Sequence, residues 1–295
     1  MFGLIVAVFL VAEDTPSDLV AKAQALLEAA KPAEAAAPLD RALLLLGHTQ
    51  AAAHPLYLRA KIYTDASQIQ KAAAALEEAV TLDPSIAEAW SDLGVARKTL
   101  LDDRGALTAF ARAVQLDPDD AIAQYRLGAE YLRQNKLSDA VTHLEEAYRR
   151  EPGDQSTLNS LQIALRQSGR REEADKIREQ LAEVLRKRDE ASQNAFRGVR
   201  INNEGAALQK NGDLRTAVEK YREALALYPE HVGIRVNYAI ALLRLGSWTE
   251  GLDQLHEALN RDPGNARIKA VLDDALAQAP RNLLPAWAAK PAKPN

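Results

Sequence analysis

Residues 87–120 read AEAWSDLGVARKTLLDDRGALTAFARAVQLDPDD, and residues 121–154 read AIAQYRLGAEYLRQNKLSDAVTHLEEAYRREPGD. The two stretches align without a gap. Leu93-Gly94 falls on Leu127-Gly128, Ala106 on Ala140, Ala113 on Ala147 and Pro118 on Pro152. A self-similar period of 34 residues is the mark of a stacked array of one small supersecondary unit. Within each unit, Pro follows an acidic residue near the end. Proline lacks an N–H and disfavours the α region in the residue before it, so it stops one helix and can open the next. Gly and Ala mark the points where two helices cross closely. Leu and the aromatic residues fill the space left over.

The same spacing continues in both directions. Pro84, Pro118 and Pro152 are 34 residues apart, as are Pro229 and Pro263, and the two series are offset by an insertion of nine residues. Ala72, Ala106, Ala140 and Ala174 form one series, continued beyond the insertion by Ala217 and Gly251. Ala79, Ala113 and Ala147 form another, continued by Ala224 and Ala258. The hydrophobic fraction is 47% with only 5% aromatic residues, so the apolar mass is mainly Ala and Leu. Both are strong helix formers, which places the chain in the all-α class.

The pattern resembles the tetratricopeptide repeat family on specific residues. Residues 87–120 carry Trp90, Leu93, Gly94, Ala106, Phe110, Ala113 and Pro118. Residues 121–154 carry Leu127, Gly128, Tyr131, Ala140, Ala147 and Pro152, and residues 198–231 carry Gly205, Ala217, Tyr221, Ala224 and Pro229. The resemblance implies a right-handed superhelical solenoid of antiparallel helix pairs, about seven repeats with a C-terminal capping helix. Four repeats are expected over 16–154, beginning at Pro16, Ala53, Ala87 and Ala121. A degenerate fifth repeat occupies 155–197, with Gln162, Arg178 and Arg186 at the places of the motif Gly, aromatic and terminal Pro, and its second helix is expected to run on through Arg188. Repeats six and seven and the cap cover 198–279, and a tail with four prolines, 280–295, is expected to trail free.

Charge and composition narrow the function. A net charge of −4 argues against a general nucleic-acid binder, which needs a basic face to displace counterions. With no cysteine there is no disulfide and no thiolate metal site. His48, His54, His143, His231 and His256 show no metal spacing, and no nucleotide or nucleophile motif occurs. No cofactor, no metal and no catalytic residue is therefore expected. Residues 1–15 open on an apolar run of signal-peptide length that turns acidic at Glu13-Asp14. It is too short to span a bilayer, so a periplasmic or secreted protein without a membrane span is expected, with a cytoplasmic one as the alternative.

In the family that the chain resembles, first helices line the concave surface, through positions 2, 5, 6, 9, 12 and 13 of each repeat. Transferred to repeats four to seven, those positions give Tyr125, Arg126, Arg133, Asn159, Arg166, Asn202, Asn203, Lys210, Asn237 and Arg244 as candidate peptide-binding residues. The set is polar and basic in an acidic protein. Asn can bridge peptide N–H and C=O groups, and Arg can grip a carboxylate with two parallel bonds. An extended acidic protein segment, or a free C-terminus, is the expected ligand. Asn203 and Asn237 also resemble, in those two residues, the asparagine ladder of O-linked N-acetylglucosamine transferases. The two-carboxylate clamp of chaperone-binding relatives is not reproduced, since Tyr57 stands with Lys61, Asn202 with Ala206 and Val236 with Ile240. A non-enzymatic scaffold for a partner protein follows, with a structural subunit of a cell-envelope complex as the alternative.

Overall fold

The structure, a computed structural model, describes residues 14–288. The expected signal segment lies outside the described residues except for its last two positions, as do residues 289–295 of the tail. All regular structure among the described residues is helical. The helices are α1 (Pro16–Glu28), α2 (Pro32–Leu46), α3 (Ala53–Asp65), α4 (Ile69–Leu82), α5 (Ala87–Thr99), α6 (Asp103–Leu116), α7 (Ala121–Arg133), α8 (Leu137–Arg150), α9 (Gln155–Gln167), α10 (Arg171–Lys210), α11 (Leu214–Leu227), α12 (Val232–Arg244), α13 (Trp248–Arg261) and α14 (Ala266–Gln278). The chain divides into two compact units, one ending at Ala182 and the other starting at Glu183, and each is built from stacked helix pairs. None of the helices is long and apolar enough to cross a membrane.

One local rule sets every turn inside a repeat. The fifteenth residue takes a left-handed conformation, as Ala30, Ser67, Leu101, Asn135, Gly169, Gly212 and Gly246, with φ between 56° and 86°. Glycine adopts this region without penalty, whereas a side chain with a Cβ meets the following carbonyl. Leu101 is the most costly of the set, with φ at 64° and 86% of its surface in water. Leu101→Gly is expected to raise stability by about 1 kcal/mol, the left-handed penalty less the entropy that glycine loses on folding. A urea midpoint that stays put or falls would show that the strain is relieved in another way.

Packing between the two helices of a repeat follows a second rule. The eighth residue is Gly94, Gly128 or Gly205, and the twenty-fourth is Phe110, Leu144 or Tyr221. A Cβ added to Gly94 would come within 2.4 Å of the Phe110 ring, and one on Gly128 within 2.7 Å of Leu144. The large residue therefore sits in the space that the glycine leaves open. The alanine series behaves as the close-crossing argument requires: Ala106, Ala140 and Ala217 are each 0% exposed.

The fifth repeat shows how a missing stop signal is read by the chain. Arg186 stands where five of the other six repeats have proline, and no proline lies between Arg171 and Lys210. The second helix of repeat five therefore continues past Arg188, through the nine-residue insertion, and into the first helix of repeat six. Its middle carries few apolar contacts and is laced by ion pairs one turn apart, Arg186 with Glu183 and Glu190, and Lys187 with Glu183. Such pairs each stabilise an exposed helix by a few tenths of a kcal/mol.

The tail departs from expectation. Residues 280–288 do not trail free but dock on the last repeat. Thr249 Oγ1 donates to the Leu283 carbonyl at 2.8 Å, and Trp287 Nε1 donates to Asp253 at 2.7 Å. The Trp287 ring stacks on His256 with centroids 4.2 Å apart. Leu284 and Trp287 pack on the cluster of Leu252, Leu255, Leu272 and Ala275. This apolar face at the end of the array would otherwise meet water, and burying it outweighs the freedom of a short Pro-containing segment.

Candidate protein-docking faces

The first helices of successive repeats supply the candidate residues, and these divide between the two units. In the first unit, α3, α5, α7 and the start of α4 line a cavity of about 210 Å³ bounded by Lys61, Thr64, Ile69, Asp92, Val95 and Arg126. Arg126 is not free there: it donates to Ser91 Oγ at 2.6 Å and to Asp92 at 3.3 Å. Tyr57 sits against the same carboxylate. Burial, and then the Asp92 charge, push its phenol up to about 12.

Two other candidate arginines are also held within the fold. Arg133 forks onto Glu130 at 3.1 and 2.5 Å and reaches Asp103 at 2.7 Å. Arg166 pairs with Asp175 at 3.4 Å. Tyr125 is half-buried and Asn159 is exposed. The cationic character inferred for this part of the inner face is thus largely neutralised from within.

Glu130 is 0% exposed at a position where neighbouring repeats carry Ala96 and Ala164. Burial acts to raise its carboxyl, but the Arg133 fork, the Gln134 amide and Lys98 outweigh it and hold the group below the usual carboxylate range. A lowered folded value means that its contribution is present above the unfolded carboxylate range and is lost as pH falls through the folded one. The urea midpoint of the wild type should therefore drop more steeply on acidification below about pH 5 than that of Glu130→Gln. Parallel pH curves would remove Glu130 from the account.

In the second unit, α12 and α14 line a larger cavity of about 470 Å³. Val236, Ile240, Ile268 and Val271 supply its apolar surface, with Asn237, Asp262, Asn265 and Arg267 at the polar edge. Asn237 Nδ2 donates to Asn202 Oδ1 at 3.0 Å, and Asn202 Nδ2 donates to Asn203 Oδ1 at 3.3 Å. The bond between repeats thus runs from Asn237 to Asn202. Lys210, Arg244 and Arg267 form no ion pair among the described residues. Lys210 and Arg244 close their helices, where the helix dipole favours a cation.

The expectation of a capping helix leaves Arg267, Ile268 and Val271 out of the candidate set. Applying the inner-face positions to α14 as if it opened another repeat returns Arg267 and Val271. The repeat pattern likewise does not reveal a structural bond in the fourth position of several repeats. Trp90 Nε1, Gln124 Nε2 and Arg235 Nη2 donate to the carbonyls of Pro84, Pro118 and Pro229 at 3.0, 2.8 and 2.8 Å. Trp90 therefore closes a turn.

Stacked helix pairs with open inner faces define a helical repeat protein of the protein-binding class. Profiles of the tetratricopeptide repeat match residues 57–97, 104–155 and 208–275, and the chain belongs to that family. It is 26% identical over 241 residues to the anaphase-promoting complex subunit CDC16 of Saccharomyces cerevisiae, covering 79% of this chain and 28% of that protein. It is 24% identical over 221 residues to the peroxisomal targeting signal receptor of Kluyveromyces lactis, covering 66% of this chain and 39% of the receptor. The chain thus spans well under half the length of either relative. Among solved structures, MamA from Desulfovibrio magneticus RS-1 superposes on 60% of this chain and 98% of its own with a TM-score of 0.52 at 20% identity, a likeness of fold.

Proposed function

We propose that this protein is a non-enzymatic scaffold that holds an extended segment of a partner protein against its first helices. The observation that carries the reading is the cavity between α12 and α14. It offers an aliphatic floor of Val236, Ile240, Ile268 and Val271, with Asn237 and Arg267 beside it. Aliphatic side chains of a bound segment would gain burial there, while the amide and guanidinium satisfy its backbone or a carboxylate. The unpaired Lys210, Arg244 and Arg267 favour an acidic segment in this unit. The first unit, whose arginines are already paired, has no such bias. Relatives named as a complex subunit and as a receptor for a targeting signal support a binding role.

The test uses the full chain as bait beside two variants, Ile240→Glu on the inner face and Arg215→Glu on the exposed side of α11. Proteins retained by wild type and Arg215→Glu but lost from Ile240→Glu are the expected result. Capture of the same set by all three baits would move the binding surface away from this face.

A further inference from the structure

Repeats stack mainly through three positions of the first helix, the third, seventh and tenth; in α3 these are buried Pro55 and half-buried Arg59 and Ile62. Leu93 and Ala96 of α5 pack on Leu76 and Val80 of the preceding repeat. Tyr238 and Ala241 of α12 pack on Val218 and Tyr221, and Leu272 and Ala275 of α14 pack on Leu252 and Leu255. In α7 and α9 the same positions, Ala123, Leu127 and Glu130, then Thr157, Leu161 and Ala164, are buried as well.

Repeat six breaks this rule. Its three positions are Arg200, Glu204 and Ala207, of which Arg200 and Ala207 are exposed. Glu204 is paired with Arg200 at 2.8 Å and with Lys220 at 3.2 Å. One other helix carries the same signature. In α1, which opens the array of the first unit, the positions are Asp18, Lys22 and Ala25, all exposed. A helix with no repeat before it must be polar where an interior helix is apolar, because that face meets water. The first helix of repeat six is written as such a beginning. Phe196, which is 74% exposed, does not contradict this. It lies two residues before the repeat register, where other repeats have the exposed turn residues Ser85, Asp119, Gly153 and Glu230. The other end of the same unit is closed by the docked segment that carries Leu284 and Trp287.

We infer that the chain carries two solenoids, each with its own capped start: the part from Gly198 to Ala288 is a separately folding module. This inference does not depend on the function proposed above. Arg200 and Glu204 then have a purpose that interior stacking could not supply.

Differential scanning calorimetry of the full chain tests the inference without any ligand. Leu93→Ala in α5 and Leu252→Ala in α13 each remove a side chain that is 0% exposed. Two transitions are expected, with Leu93→Ala lowering one and Leu252→Ala lowering the other. A single transition lowered by both variants would overturn the inference while leaving the binding reading intact. Hydrogen exchange on the same variants covers the case in which a substitution unfolds its own unit. Leu93→Ala should accelerate exchange in α3–α8 and leave α11–α14 protected, and Leu252→Ala should do the reverse. Loss of protection in both parts from either variant would show one cooperative array.

Discussion

Replacing Phe110 by alanine is expected to lower stability by about 3–5 kcal/mol, the range for deleting a fully buried aromatic side chain. The ring is 2% exposed and lies over Gly94, with Leu127 of the following repeat in the same cluster. Its loss opens a cavity at a contact between two helices and weakens a contact between two repeats. Each repeat touches only its neighbours, so no distant contact can compensate. Phe110→Leu should cost much less, since it recreates the Gly128 and Leu144 pair of the next repeat. Gly94→Ala should also destabilise, by about 1–3 kcal/mol, because the added methyl group has no room against the ring. Urea denaturation followed by circular dichroism reads all three. A midpoint unchanged in Phe110→Ala would mean that the eighth and twenty-fourth positions do not form the tight pair described.

Tyr221→Ala should have an effect of similar size in the second unit, about 3–5 kcal/mol by the same reasoning. Tyr221 is 1% exposed and packs with Val218, Tyr238 and Leu242, and its hydroxyl donates to Gln209 Oε1 at 2.8 Å. Tyr221→Phe separates the two contributions. It keeps the ring and loses the hydrogen bond, which is worth about 1 kcal/mol because half-exposed Gln209 can turn to water. If both variants melted alike, the hydroxyl and not the ring would be the important part of this side chain.

Much of the fold was legible in the order of residues. The period of 34 places helix starts at Ala53, Ala87, Ala121, Gln155, Val232 and Ala266, and α3, α5, α7, α9, α12 and α14 begin there. This works because the stop signals, the close crossings and the turn are all local, and each repeat states them again. The long helix α10 was legible in part, since the missing proline at Arg186 predicts a helix that does not stop. How far it runs was not. Reaching Lys210 required that the first helix of repeat six join it, and the sequence of repeat six alone is compatible with a separate helix.

The candidate site was less legible, for a physical reason that Arg126 and Arg133 illustrate. Their places on the inner face follow from the repeat register. Their carboxylate partners Asp92 and Asp103 lie 34 and 30 residues earlier, on other helices. A count of cations along one helix face leaves such partners out, and a charge already paired within the fold has little left to attract a ligand. Asn237 and Asn202, 35 residues apart, show the same effect for amides. The tail followed the same course: its prolines argued for a free segment, and the apolar end of α13 and α14 gave Trp287 a place to dock.

The sequence by itself determined what lies within one repeat. That covers the helix pairs and the glycine and alanine crossings between them. The tertiary structure alone decided which charges and amides remain available, how far α10 extends and where residues 280–288 lie. Those outcomes depend on groups one or more repeats apart, which meet only when the helices stack.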